Sequence, residues 1–137
     1  MPDLDSAIAW WQRSLDFELE HRREIPTVPC EMAMMRNGSL RIELFDVPGA
    51  KAPVEPRDQP DTDLKVWGNK HVSFAVRDVV AFAERLQRRG VEILWIRTYE
   101  WGGANMFIRD ICGNLVEFVQ APCPTDMGGH LTKENEV

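Results

Sequence analysis

Apolar residues recur at helical spacing in two segments of the chain. The stretch DLDSAIAWWQRSL repeats them every three or four positions behind acidic and Ser residues suited to cap a helix. The stretch DVVAFAERLQRR shows the same spacing and runs into Gly90, a residue type that commonly ends helices. The pattern predicts helices near residues 5–15 and 78–89. The apolar face of the first consists of Leu4, Ile8, Trp11 and Leu15.

Alternating or continuous apolar runs predict seven strands. These lie near residues 17–24, 30–36, 39–45, 70–76, 91–97, 104–109 and 115–120. Asn37-Gly38 is a two-residue hairpin signal, and a type I′ turn there pairs Arg36 with Ser39. That register brings Met32 opposite Glu43. The first of the seven strands, FELEHRRE, has the pattern of an amphipathic strand.

Two segments have no periodic pattern. Residues 46–69 contain four prolines, and an irregular stretch of this length within a small domain is typically a linker or a functional cover. We expect this connecting loop to close over the site. The tail, residues 121–137, is polar and contains Gly and Pro, so we expect it to be loose.

The order of one helix and three strands occurs twice, which indicates an internal repeat. Aligning Asp3 with Asp78 places Glu43 40 residues after the first Asp and Glu117 39 residues after the second. The second copy has a further strand before its helix, and His71 lies on it. Only Met1 and Pro2 precede the first helix. We therefore expect module one in residues 1–45 and module two in residues 70–120, with the first strand of module one missing.

Composition narrows the class of protein. The chain has 137 residues, 44% of them hydrophobic, which suits a single packed domain over residues 1–137. A net charge of -6 disfavours nucleic acid and anionic membranes as partners. No apolar run approaches the roughly 20 residues of a membrane span, and no signal peptide is evident. The three cysteines form no CxxC pair, so we expect free thiols and a cytoplasmic protein.

His71, Glu43 and Glu117 are the candidate metal ligands. Glu43 lies on the face of its strand opposite to Leu40, Ile42 and Leu44, and Glu117 has apolar residues on both sides. A carboxylate within an apolar strand must be solvated, paired or metal-bound. Imidazole and carboxylates together suit one divalent ion such as Zn, Fe, Mn, Co or Ni. The alternatives are a hydrogen-bonded strand histidine and glutamates on the wet face of a sheet.

Five further residues are candidates for substrate binding. Arg41 lies beside Glu43 and is either its ion-pair partner or a ligand for an anionic substrate. Met32 and Met34 suit an adaptable apolar wall, although filling of the core explains them as well. Trp101 and Asn105 complete the expected pocket.

The order and spacing of four segments resemble the vicinal oxygen chelate superfamily, which includes glyoxalase I, methylmalonyl-CoA epimerase, extradiol dioxygenases and bleomycin resistance proteins. The segments are PDLDSAIAWWQRSLDFEL, RIELF, KHVSFAVRDVVAFAERLQRRGVEI and MFIRDICGNLVEFVQ. The resemblance implies an α+β fold of two βαβββ modules. They form an open, mostly antiparallel half-barrel around a cleft that holds one metal ion.

Among the ligands that this resemblance implies, Glu43, His71 and Glu117 are visible. A fourth would come from the missing strand, and we expect Met1 to be a misassigned start within a longer reading frame. The DICGN turn departs from the proline-bearing turn common in the family.

The resemblance implies a metal-dependent isomerase, epimerase or lyase acting on a small carbonyl substrate. Glu117 or Glu43 would remove the α-proton and His71 would be a neutral ligand. An extradiol-type dioxygenase is one alternative, and it needs a second histidine. A metal-free antibiotic-binding protein is the other. We expect a homodimer, because open clefts of this kind are often completed across an interface.

Overall fold

The computed structural model describes residues 3–51, 59–65 and 67–120. Ten elements follow one another along the chain: α1 (Leu4–Leu15), β1 (Glu18–Ile25), β2 (Cys30–Asn37), β3 (Leu40–Asp46), α2 (Pro60–Asp63), β4 (Val72–Ala75), α3 (Val79–Arg88), β5 (Ile93–Thr98), β6 (Ala104–Arg109) and β7 (Leu115–Gln120). The predicted tail and the centre of the connecting loop lie outside the described residues.

Matching aspartates begin the two long helices. The Asp3 carboxylate accepts a hydrogen bond from the Ser6 amide at the start of α1. The Asp78 carboxylate accepts one from the Ala81 amide at the start of α3. Each bond satisfies an amide that has no partner within its own helix. The two residues that the sequence alignment equates therefore perform the same task.

The strands form two separate sheets. In the first, the order is β1-β2-β3 and both pairs are antiparallel. In the second, the order is β4-β7-β6-β5, and only the β4–β7 pair is parallel. Helix α1 contacts the first sheet and α3 the second. This arrangement confirms the predicted α+β fold, with αβββ in the first half, βαβββ in the second and no closed barrel among the described strands.

The β2–β3 hairpin has a different register from the predicted one. Asn37 pairs with Leu40, so Gly38 and Ser39 are the turn residues and Met34, rather than Met32, lies opposite Glu43. The reason is the position of the glycine. Gly38 has a φ of 59° as the first central residue of the turn, a conformation that glycine adopts without steric cost.

Two other segments differ from the sequence prediction. Strand β1 forms, but no residue of it is fully buried, and Leu19 is 41% exposed, so it is a solvated edge rather than an amphipathic strand. The connecting loop contains the short helix α2, which begins at Pro60. Proline is favoured at the first position of a helix, because its φ is already set and no amide hydrogen is needed there.

One hydrophobic cluster connects the two halves of the molecule. Side chains from α1, β2 and β3 join side chains from α3, β6 and β7 in it. Phe17 of the first half contacts Phe74 of the second, with ring centroids 6.3 Å apart. The shared core fixes the position of one sheet relative to the other. Within the described residues, no helix is long and apolar enough to span a membrane.

Candidate functional site

Strand pairing places the candidate site on one face of the second sheet. Phe107 on β6 pairs with Glu117 on β7 and with Trp95 on β5, so these three side chains share a face. Ser73 on β4 pairs with Glu117 from the other side. His71 precedes Ser73 by two residues and therefore joins this face. Val116 and Phe118, which flank Glu117 along β7, lie in the core on the opposite face of the sheet.

His71 and Glu117 form the centre of this face. The Nε2 atom of His71 lies 3.3 Å from Oε2 of Glu117. Their side chains are only 21% and 14% exposed. Glu117 is thus a largely buried carboxylate with an imidazole at its side, which gives one nitrogen and one oxygen donor directed at the same space.

Asn105 and Tyr99 hold the second oxygen of Glu117. The side-chain amide of Asn105 donates a hydrogen bond of 2.8 Å to Oε1 of Glu117. The hydroxyl of Tyr99 donates one of 2.9 Å to the amide oxygen of Asn105. Because that bond occupies the oxygen, the Asn105 amide presents its NH₂ group to the carboxylate. One oxygen of Glu117 is therefore fixed while the other faces His71.

Aromatic side chains surround the pair. The rings of His71 and Phe107 meet edge to face, with centroids 4.8 Å apart. Trp95 contacts Phe107 at the same centroid distance. Together with Tyr99 and part of α2, they enclose a cavity of about 170 Å³ that contains both His71 and Glu117. Such a cavity suits a small ligand with an apolar, planar part.

Arg97 brings a positive charge to the wall of this cavity. Its guanidinium lies 4.0 Å from the ring centroid of Trp95 and forms two hydrogen bonds with the Asp61 carboxylate, of 3.1 and 2.6 Å. The bonds to Arg97 lower the pKa of the Asp61 carboxyl group. The same contact raises the pKa of Arg97. Both groups are therefore charged at neutral pH.

Glu43 faces a different cavity. A space of about 630 Å³ between the two halves of the molecule is bordered by Glu43 from β3 and by His71 and Asp110 from module two. His71 thus borders both cavities, whereas Glu117 borders only the smaller one. Throughout the described residues, no three His, Cys, Asp or Glu side chains lie close enough together to hold a metal ion. The structure brings two of the three predicted ligands together and leaves Glu43 apart.

The five residues predicted to bind substrate have different surroundings. Asn105 borders the smaller cavity, whereas Trp101 does not border it but stacks on Tyr99, which does, with ring centroids 5.2 Å apart. Arg41 is the ion-pair partner of Glu20 rather than of Glu43, through two hydrogen bonds of 2.8 Å. Met32 is fully buried. In the described part of the chain, neither of the two cavities that His71 borders is lined by Met32, Met34 or Arg41.

Several residues of the smaller cavity are absent from the sequence prediction. They are Asp61, Trp95, Arg97, Tyr99 and Phe107. Residues 95, 97 and 99 recur at the period of a strand, and so do 105 and 107, which is the pattern that could have indicated them. Asp61 has no such pattern, because it lies on a helix of only four residues.

Comparisons with known proteins agree with this architecture. The sequence model of the Glyoxalase/Bleomycin resistance protein/Dioxygenase superfamily matches residues 1–118, so the chain belongs to that superfamily. This confirms the family predicted from the sequence. A search of curated protein sequences finds no match to the chain.

Solved structures show the same fold. A glyoxalase family protein from Enterococcus faecalis is 19% identical, with a TM-score of 0.70 over 86% of this chain and 89% of that one. A lactoylglutathione lyase from Agrobacterium tumefaciens is 21% identical, with a TM-score of 0.58 over 87% and 86%. A glyoxalase I mutant from Zea mays is 21% identical, with a TM-score of 0.66 over 88% of this chain and 42% of the maize chain.

Proposed function

We propose that the protein is a lyase or isomerase that removes a proton next to the carbonyl group of a small substrate. The observation that carries this proposal is the placement of Glu117 beside His71, 3.3 Å apart, in a cavity with aromatic walls. A carboxylate with one oxygen fixed by Asn105 and the other beside His71 can act as a general base. Membership of a superfamily that includes glyoxalases supports the same reaction class.

The donor set fits a divalent metal in part. Zinc binds histidine nitrogen and carboxylate oxygen at roughly 2.0–2.2 Å, so donors 3.3 Å apart can bind one ion together. Catalytic zinc sites commonly use three protein ligands. Glu43 is the candidate for the third, because it shares a cavity with His71. A bound ion of Zn, Fe, Mn, Co or Ni would polarise the substrate carbonyl and stabilise the negative charge formed there.

The chain's own residues account for the proton transfer. Oε2 of Glu117 takes the proton from the carbon next to the carbonyl, and this oxygen would alternate between ion binding and proton transfer. Return of the proton to the same carbon epimerises the substrate. Return to the neighbouring carbon isomerises an α-hydroxy carbonyl compound, whose hydroxyl proton passes to the former carbonyl oxygen. Asn105 holds Oε1 of Glu117, so the carboxylate keeps one orientation during both transfers. Phe107 and Trp95 cover the pair on one side and reduce the access of water.

Hydrogen–deuterium exchange tests this function. The protein, loaded with each of the five metals in turn, is mixed with small 2-oxo and 2-hydroxy carbonyl compounds in D₂O, and exchange at carbon is followed by NMR. We expect Glu117→Gln to lower the exchange rate by about 10²–10⁴-fold, the range typical of a lost general base. Elemental analysis should show one ion per chain, lost in His71→Ala.

Glu84→Gln is the matched control, because Glu84 lies on α3 with its side chain 65% exposed. We expect it to leave both exchange and metal content unchanged. Exchange that persists in Glu117→Gln at the rate of the unmodified protein would overturn the proposal.

A metal-free binding protein is the second candidate. The described residues supply two adjacent metal donors rather than three, while the aromatic cavity suits a planar ligand. In that case bleomycin would bind with equal affinity with and without metal, and His71→Ala would not change it. The dioxygenase alternative needs a second histidine, and among the described residues His71 is the histidine that borders the cavity with Glu117. Oxygen uptake with catechol tests it directly.

A further inference from the structure

Arg97 lies on the same face of the sheet as the proposed base. It pairs with Asn105 on β6, and the Asn105 side chain bonds Glu117. Its guanidinium borders the cavity that contains His71 and Glu117. Stacking on Trp95 orients the planar group, which then presents two N–H donors side by side. Two parallel donors match the two oxygens of a carboxylate.

In the structure, the carboxylate of Asp61 binds these two donors of Arg97. Both oxygens of Asp61 bind the two terminal nitrogens of Arg97. Asp61 belongs to the short helix α2 of the connecting loop, not to the sheet that builds the cavity. The two side chains are 46% and 62% exposed. Exposed ion pairs contribute little net stability, so another carboxylate can replace Asp61 at small cost.

We propose that Arg97 binds the carboxylate of the substrate and that Asp61 occupies this position when the cavity is empty. The substrate class is then a small carboxylic acid with a planar apolar part, held between Arg97 and the aromatic walls. Without a cation, the charge of Glu117 would repel such a ligand. This inference rests on the proposed function only in treating the ligand as the substrate.

Binding of benzoate tests the proposal, with benzamide as the neutral ligand of the same shape. Calorimetry is carried out on the full chain at moderate ionic strength. We expect Arg97→Met to weaken benzoate binding by about tenfold or more, which corresponds to about 1.4 kcal/mol, and to leave benzamide unchanged. Arg97→Lys should lie between the two, since lysine lacks the paired donors. Asp61→Asn should strengthen benzoate binding by about threefold or more, because the competing carboxylate is removed.

Arg85→Met is the matched control. Arg85 also stacks on an aromatic ring, that of Phe82 at 4.5 Å, but it lies on α3 away from the cavity. We expect it to bind both ligands as the unmodified protein does. Equal binding of benzoate and benzamide, no binding of benzoate at millimolar concentration, or no effect of Arg97→Met would each overturn the proposal. So would weaker benzoate binding in Asp61→Asn.

The test is separate from that of the proposed function. Glu117→Gln should still bind benzoate through Arg97, although its proton exchange is much slower. If Arg97→Met binds benzoate normally while the unmodified protein exchanges protons through Glu117, the carboxylate site is wrong and the proposed reaction stands. If Arg97→Met weakens benzoate binding but no proton exchange depends on Glu117, the protein binds carboxylates and the proposed reaction is wrong.

Discussion

Asn105 determines how Glu117 is presented to the cavity. Its amide bonds Oε1 of Glu117, and its orientation is set by the hydroxyl of Tyr99. An outer partner of this kind positions the reacting group without touching the substrate. We expect Asn105→Ala to lower kcat for proton exchange by about tenfold with little change in KM, because Glu117 then rotates more freely. Steady-state exchange kinetics measure both constants.

Tyr99→Phe provides the comparison for this prediction. It removes only the hydroxyl that orients Asn105, so its effect on kcat should be smaller and in the same direction. A change confined to KM in Asn105→Ala would contradict a positioning role and would place the amide in contact with the substrate. Thermal unfolding of both variants separates a loss of orientation from a loss of folding.

The hairpin between β6 and β7 depends on one buried carboxylate. Asp110 is 8% exposed and accepts hydrogen bonds from the amides of Cys112 and Asn114 and from the Asn114 side chain. Because β7 contains Glu117, this turn also fixes the register of the site. We expect Asp110→Ala to lower the free energy of unfolding by about 1–3 kcal/mol, since its donors lose their acceptor. Urea unfolding measures the change.

Asp110→Asn is the control for that element. Its side-chain oxygen can still accept the two backbone bonds at the position of Oδ1, so it should be less destabilised than Asp110→Ala. Equal destabilisation by both changes would mean that the negative charge, not the acceptor geometry, stabilises the turn.

The elements differ in how far the sequence predicts them. The period of apolar residues predicts both long helices. The repeat alignment equates Asp3 with Asp78, and the structure shows that both are caps. The apolar flanks of Glu117 leave it solvated, paired or metal-bound, and the structure shows it largely buried beside His71. These features depend on near neighbours in the chain.

Contacts between segments far apart in the chain cannot be predicted from near neighbours. Asp61 and Arg97 are 36 positions apart, and one of them lies on a short helix without a periodic pattern. The partner of Arg41 on β3 is Glu20 on β1, and the two strands are not adjacent, because β2 lies between them. Alternation along one strand shows only near neighbours such as Glu43, so the sequence alone leaves Arg41 either with Glu43 or with an anionic substrate.

The two edges of the first sheet differ in chemistry. Strand β1 bears a row of charged or ionisable side chains, of the kind that discourages pairing with another chain. They are Glu18, Glu20, His21, Arg22, Arg23 and Glu24. Strand β3, at the other edge, exposes Leu40 and Phe45, which are 47% and 39% exposed. Among the described strands, β3 pairs only with β2. Arg41 and Glu43 on β3 are exposed as well. In the second sheet β7, which the repeat alignment equates with β3, pairs with β4, so the open edge of β3 can accept a further strand. Its two exposed apolar side chains favour a second copy of the chain there.

The homodimer expected from the sequence is therefore predicted to form through β3. Phe45→Lys places a charge on this edge and should shift the protein from dimer to monomer in light scattering at micromolar concentration, because burying an unpaired charge opposes association. Leu19→Lys is the matched control, since Leu19 is similarly exposed, at 41%, but lies on the charged edge. We expect it to leave the dimer intact. If both variants remain dimeric, the interface does not include β3. If the unmodified chain is monomeric, Glu43 and the cavity that it shares with His71 are not covered by a second copy of the chain.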